Sequence, residues 1–177
     1  MYINFWYPMA LSSEVTAEKP LRVKRLCLNF VVFRDQQGAA HVLADTCVHR
    51  GGSLGLGPMR GNAVACPYHG WQFGGDGRCV KIPSLGDDAK LPARAKVDSY
   101  PVQEKYGLVF AFLGDLPEAE RPPIYDISEW GTPQWKAQTF VLDLNAYYER
   151  SIENGLDPIH NEFVHTAQGQ PSLSPEQ

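Results

Sequence analysis

The sequence has no basic excess, no long apolar run and no internal repeat, and each absence removes a class of function. Its 16 Lys and Arg stand against 20 Asp and Glu, for a formal net charge of −4 and a pI near 5.7. No Lys/Arg cluster alternates with aromatic residues, so the positive field that nucleic-acid phosphates require is missing. The longest apolar run, Leu108 to Leu113, is far shorter than the roughly 20 residues needed to cross a bilayer, and no membrane partner is expected. The opening residues, Met1-Tyr-Ile-Asn-Phe-Trp-Tyr-Pro8, carry neither the basic start nor the apolar core of a secretory signal. The expectation is a soluble, cytoplasmic protein. Cysteine is scarce: Cys27, Cys47, Cys66 and Cys79 are the only four. In a chain without a secretory signal, metal ligation is a more natural use for them than a disulfide framework.

At 177 residues the chain has room for one ordinary domain and part of another. The aromatic cluster Phe5-Trp6-Tyr7 suggests a short strand or packed arm. Beyond it, β-branched and aromatic residues rise from Leu21 to Phe33, with strands expected at about 28–34 and 40–45 around a turn at Gly38. A strand over Ala63–Cys66 follows. Then Trp71–Phe73 pairs with Arg78–Val80 around Gly74-Gly-Asp-Gly77, where Asp-Gly supplies a positive φ. Tyr100–Glu104 and Leu108–Leu113, joined at Gly107, make the last hairpin. Residues 114–134, with Pro117, Pro122, Pro123 and Pro133, read as a linker. A second module begins near Trp135: a strand over Gln138–Leu144, a helix from Asn145 to about Asn154 ending at Gly155, and a further helix capped by Asp157-Pro158. The tail from Ala167 to Gln177 shows no element.

Two short segments dominate this pattern, Cys47-Val-His49-Arg-Gly51 and Cys66-Pro-Tyr-His69-Gly-Trp71. Each supplies one thiolate and one imidazole on a loop closing a hairpin, and Gly51, Gly52 and Gly70 let the backbone come close to a metal centre. A tetrahedral zinc site also uses two Cys and two His. A zinc finger, however, groups its cysteines in one segment and its histidines in another. One Cys and one His from each loop suit a [2Fe–2S] cluster in which Cys47 and Cys66 hold one iron while His49 and His69 hold the other. Cys27, read as a buried thiol on a strand, and Cys79 are assigned to packing. His41 is read as a hairpin surface residue.

Cys47-x-His49…Cys66-x-x-His69, followed by Gly70-Trp71-Gln-Phe73 and the Asp76-Gly77 turn, resembles the Rieske iron–sulfur domain over roughly residues 3–113. The resemblance implies a mainly β fold of stacked antiparallel sheets with two cluster-binding loops. Rieske proteins of respiratory and photosynthetic membranes add a cysteine to each ligand loop to form a disulfide. Gly52 and Tyr68 stand at those positions here, which makes the chain similar to the oxygenase and ferredoxin type. Downstream, Asn154-x-x-Asp157-x-x-His160-x4-His165 resembles the start of the catalytic domain of Rieske non-haem iron oxygenase α-subunits, the type that includes vanillate demethylase and dicamba monooxygenase.

That resemblance implies domains at 1–113 and 135–177, the second a short α+β fragment. It makes His160 and His165 ligands of a mononuclear non-haem Fe(II), Asp157 a bridge between a cluster histidine and an iron-ligand histidine of neighbouring subunits in a head-to-tail trimer, and Asn154 a polar residue close to the iron. It further implies a reductase or ferredoxin donor, O2 and a small organic substrate, with monooxygenation, hydroxylation or demethylation as the reaction. The third iron ligand would be an acidic residue far downstream in a catalytic sheet, so the chain is expected to be a fragment or a split protein. Glu153 and Glu162 offer no obvious facial position. On a regular helix His160 and His165 would lie about 140° apart at ~100° per residue, which calls for a bend or bulge between them. A Rieske ferredoxin-type carrier, or a non-catalytic cluster-binding subunit, is the alternative.

Overall fold

The run Phe30-Val31-Val32-Phe33 decides the layering. Side chains alternate across a strand, and in β3 (Leu28–Arg34) Phe30 and Val32 enter one apolar core while Val31 and Phe33 enter another. The neighbouring strand β4 (Ala40–Ala44) divides in the same way, Val42 to one core and Leu43 to the other. A strand buried on both faces reads as a continuous apolar stretch rather than an alternating one. These two strands therefore form the middle of three layers. The computed structural model describes residues 3–86 and 89–165, and Ala167–Gln177, expected to lack an element, lies outside them.

The middle sheet orders β2 (Leu21–Arg25), β3, β4 and β9 (Ser99–Tyr100). One flanking sheet pairs β1 (Phe5–Leu11) and β10 (Val102–Lys105) with the two edges of β11 (Leu108–Leu113). Between it and the middle sheet lie Met9, Phe30, Val32, Val42, Val109 and Ala111. The other flanking sheet is a meander of β5 (Met59–Arg60), β6 (Ala63–Ala65), β7 (Gln72–Phe73) and β8 (Cys79–Lys81). Its core contains Val31, Phe33, Leu43, Leu54, Val64 and Phe73 together with Cys47, Cys66 and Cys79. All pairings are antiparallel, and the mainly β class is as expected. Among the described residues no helix is long and apolar enough to cross a membrane.

Between residues 3 and 113, three local expectations differ from the structure. Tyr100 pairs with Val42 in the middle sheet, while Val102 opposes Ala111 in the flanking one; Pro101 between them cannot donate to a ladder, and the chain changes sheets there. Cys27 is exposed rather than buried. The register Arg25↔Leu28 leaves only Leu26 and Cys27 for the turn, and both take positive φ, 51° and 65°, as a two-residue hairpin of this hand demands. His41 is no free surface residue: its Nε2 lies 2.9 Å from Asp35 Oδ2, and a Cβ on Gly75 would fall 2.2 Å from its ring.

The chain divides into two compact units, Met1–Ser128 and Glu129–Gln177. Much of the proline-rich stretch lies on the first. Asn4 Oδ1 accepts from the amides of Asp115 and Leu116, Trp6 Nε1 donates to the Pro122 carbonyl, and Lys105 pairs with Asp126. In the second unit Gln138–Leu144 forms no strand; none of the described residues pairs with it, and unpaired extended backbone is no sheet. Helix α1 (Tyr148–Leu156) runs through Gly155 instead of ending there. Its stop is Asp157, extended at φ −100° and ψ 96°, because the following Pro158 disfavours helical backbone at the residue before it. Helix α2 (His160–Val164) begins later than the Asp-Pro pair suggests. Asp157 Oδ1 instead accepts the Ile159 amide at 3.0 Å, a local Asx turn.

Gly77, at φ 79°, turns β7 into β8, and a Cβ there would lie 2.2 Å from the Val97 carbonyl oxygen. Gly77→Ala combines left-handed strain with a backbone clash. It is expected to cost about 2–4 kcal/mol, read as a lowered urea midpoint at unchanged slope.

Candidate metal centre

The first ligand loop is staked at its base by one carboxylate. Asp45 follows the last residue of β4 and is only 2% exposed. It accepts from Arg22 Nε at 2.9 Å, Ser53 Oγ at 2.5 Å and the Gly55 amide at 2.6 Å, while its own carbonyl accepts from Leu54 at 2.9 Å. Its amide donates to Asn29 of β3. A buried carboxylate needs such a set of donors. Here the donors come from β2 and from the residues that follow the loop, so residues 46–52 leave from Asp45 and are drawn back to it at Ser53–Gly55. Reading the sequence missed Asp45. The available signal was an acidic residue at the end of an apolar strand, followed at short range by Ser53 and Gly55.

The two ligand loops share one hydrogen-bond scaffold. Cys47 N donates to the Gly52 carbonyl and its own carbonyl accepts from Gly51; Cys66 N donates to the Trp71 carbonyl and its own accepts from Gly70. The closing glycines have φ 71° and 72°, which Gly adopts without cost. Twin loops thus rise side by side from the β4 and β6 ends. Their cysteines are buried, at 2% and 3% exposure, while His49 is half-buried and His69 exposed. The two imidazoles meet edge to face with centroids 4.6 Å apart. Trp71 lies flat on His49 at 4.6 Å and 6°, and Tyr68 leans on His69 at 4.0 Å.

Burial pushes the Cys47 thiol up to about 11, with the adjoining Cys66 adding to the effect. A thiolate so placed calls for a cation beside it. Burial, then His69 and Arg50, holds His49 below its ordinary value, favouring the neutral imidazole that binds metals. The space also fits a cluster. A Cβ on Gly52 would come 2.8 Å from Cys66 Sγ, so any other residue there would crowd the sulfur. Two inner thiols and two outer imidazoles suit two metal atoms. None of the four cysteines forms a disulfide.

The second unit brings His160 and His165 together, with rings 5.4 Å apart and nearly perpendicular. The spacing of five needs no bulge: α2 ends at Val164, and His165 has left helical geometry at φ −110° and ψ 45°. His160 Nδ1 is buried without a hydrogen-bond partner, and Asp157 Oδ2 stands 3.7 Å from it. Asn154 sits in the last turn of α1, its carbonyl facing the Asp157 amide at 3.4 Å. Glu153 is paired with Arg150 on the exposed side of α1. No third ligand joins the histidines among the described residues.

A family model described as the Rieske [2Fe-2S] domain matches residues 5–101. The chain is 41% identical over 177 residues to a phenoxybenzoate dioxygenase subunit alpha of Ectopseudomonas oleovorans, covering 92% of this chain and 42% of that one. It is 33% identical over 162 residues to the chloroplastic protein TIC 55 of Pisum sativum, covering 90% of this chain and 29% of that one. A crystal structure of dicamba monooxygenase bound to dicamba superposes with a TM-score of 0.82 at 30% identity, over 96% of this chain and 50% of that one. This chain therefore spans half or less of each of these proteins.

Asp45→Ala would leave the Gly55 amide buried and unpaired and free the base of the first loop. With Arg22 itself 45% exposed, the expected loss is about 2–4 kcal/mol. It is measured by denaturant unfolding, together with a fall in bound iron relative to the unaltered chain.

Proposed function

This chain belongs to the Rieske [2Fe-2S] domain family, and from that premise we propose that it delivers single electrons within an O2-dependent oxygenase. The single observation that carries this reading is the pair of twin loops, with Cys47 and Cys66 buried and His49 and His69 towards solvent. Cys47 and Cys66 would hold one iron, His49 and His69 the other. When bound, such a cluster takes up and releases one electron at a time, at a potential raised by its imidazole ligands. The protein supplies the rest. Apolar neighbours keep water from the sulfurs, Asp45 fixes the first loop, and the exposed His69 edge offers a redox partner a short approach.

We take 1–113 as the cluster domain, 114–134 as the connection and 135–177 as the opening of a mononuclear-iron domain. His160 and His165 are its candidate ligands, supported by rings within 5.4 Å of each other. Asp157, near His160 Nδ1, is the candidate bridge to a neighbouring subunit's cluster histidine, in a homotrimer. A carboxylate hydrogen-bonded to imidazole would set its tautomer and raise its basicity. Asn154 is the candidate polar residue beside the iron. The dioxygenase and monooxygenase relatives support a reaction class in which O2 and a small, often aromatic, organic substrate meet at that iron. The donor is a reductase or ferredoxin. The cytoplasm is the proposed compartment on the strength of the bacterial relative, against the chloroplast named for another. The second reading is a plain electron carrier or non-catalytic subunit, supported by the family model, which matches residues 5–101 and none of the second unit.

The purified chain is expected to be reddish-brown, with about two iron and two inorganic sulfide per chain and a Rieske-type spin signal; a colourless zinc protein would contradict the proposal. Iron bound at His160 and His165 should wash out on desalting, because two ligands hold it without a carboxylate. Tight stoichiometric retention of that iron, abolished by His160→Ala, would place a third ligand within this chain.

A further inference from the structure

The two ligand loops touch through an aromatic contact that the cluster assignment does not use. Trp71 belongs to the second loop: its carbonyl accepts the Cys66 amide at 2.8 Å, and β7 begins at the next residue. Its side chain is partly buried and rests on the core that contains Cys47, Cys66 and Phe73. From there the indole reaches across to the first loop and lies parallel to His49, 4.6 Å between centroids and 6° between planes. His49 also meets His69 edge to face at 4.6 Å and 64°. His49, half-buried, thus contacts Trp71 as well as His69, whereas His69, exposed, contacts His49 and the tilted ring of Tyr68. The two imidazoles are inequivalent before any metal is considered.

We propose that Trp71 is a positioning residue for the cluster: stacked on His49 from the opposite loop, it fixes the plane of that imidazole, shields it from water and thereby sets the reduction potential. The inference rests on the cluster reading above. Its physical basis is twofold. A ligand ring held by packing keeps one orientation through a change of redox state, as partners behind metal-bound imidazoles generally ensure. Solvent exposure is one of the controls on the potential of an iron–sulfur cluster. Reduction adds one negative charge, which water stabilises, so an indole that excludes water from His49 holds the potential down. Stacking also ties the loops together: a movement of Cys66 and His69 carries Trp71 with it and is resisted by His49.

The test compares the cluster-loaded chain with Trp71→Leu, which removes the ring, and Trp71→Phe, which keeps an aromatic face. Two quantities are read: the midpoint potential, and the couplings of the two histidine nitrogens in the pulsed electron-spin spectrum. Trp71→Leu is expected to raise the potential and alter one nitrogen coupling while leaving the other in place. Trp71→Phe is expected to stay near the unaltered chain in both. If Trp71→Leu fails to retain the cluster, Trp71→Met takes its place under the same expectations. An unmoved potential and unchanged couplings in the ring-less variant would overturn the role of Trp71, and so would an equal shift in Trp71→Phe. Absence of a Rieske signal from the unaltered chain would instead overturn the cluster reading, so the two failures are distinguishable.

Discussion

Two thiols packed together out of water can ionise only with a cation beside them. Cys47 and Cys66 are built into the apolar core, where burial raises the Cys47 thiol to about 11 and an unpaired thiolate would be expensive. The twin loops, the closing glycines at 51 and 70 and the gap left by Gly52 all serve that placement. Folding of this region and metal loading are therefore linked, since proton release from the thiols accompanies ligation. The imidazoles are placed in the opposite sense, at the edge of the protein, where a neutral ring is a good ligand and a partner can reach it.

The middle sheet makes the arrangement rigid. β3 and β4 are covered on both faces, and Asp45 at the β4 end converts that rigidity into a fixed loop base through Arg22, Ser53 and Gly55. The second loop gains its rigidity differently, from the short meander β5 to β8 and the tight turn at Gly77. A buried polar hub on one side and a packed aromatic on the other hold loops whose own sequences, rich in glycine and proline, would not hold themselves.

Much of this was legible in the sequence, and the limits were physical. The ligands could be read because metal chemistry restricts the residue types and the loops restrict the spacing. β3 and β4 could be read from their apolar runs and the turn at Gly38. Cys27 was misjudged because turn length depends on strand register, which Arg25↔Leu28 sets only in the folded sheet. Gln138–Leu144 has strand-like alternation, but a strand needs a partner and alternation does not provide one. Asp45 and Trp71 act on residues across a loop or in the opposite loop, and such contacts leave no local periodicity. His160 and His165 looked badly spaced only on the assumption that both stand on one helix.

The central claim is that the four ligands divide by type, thiolates to one metal atom and imidazoles to the other. The most direct measurement is a Mössbauer and pulsed electron-spin study of the reduced chain loaded with isotopically enriched iron and labelled histidine. The account predicts two iron environments in equal amounts, one ferric and sulfur-bound, the other ferrous and alone coupled to histidine nitrogens. A single iron environment, or histidine coupling distributed over both irons, would contradict it.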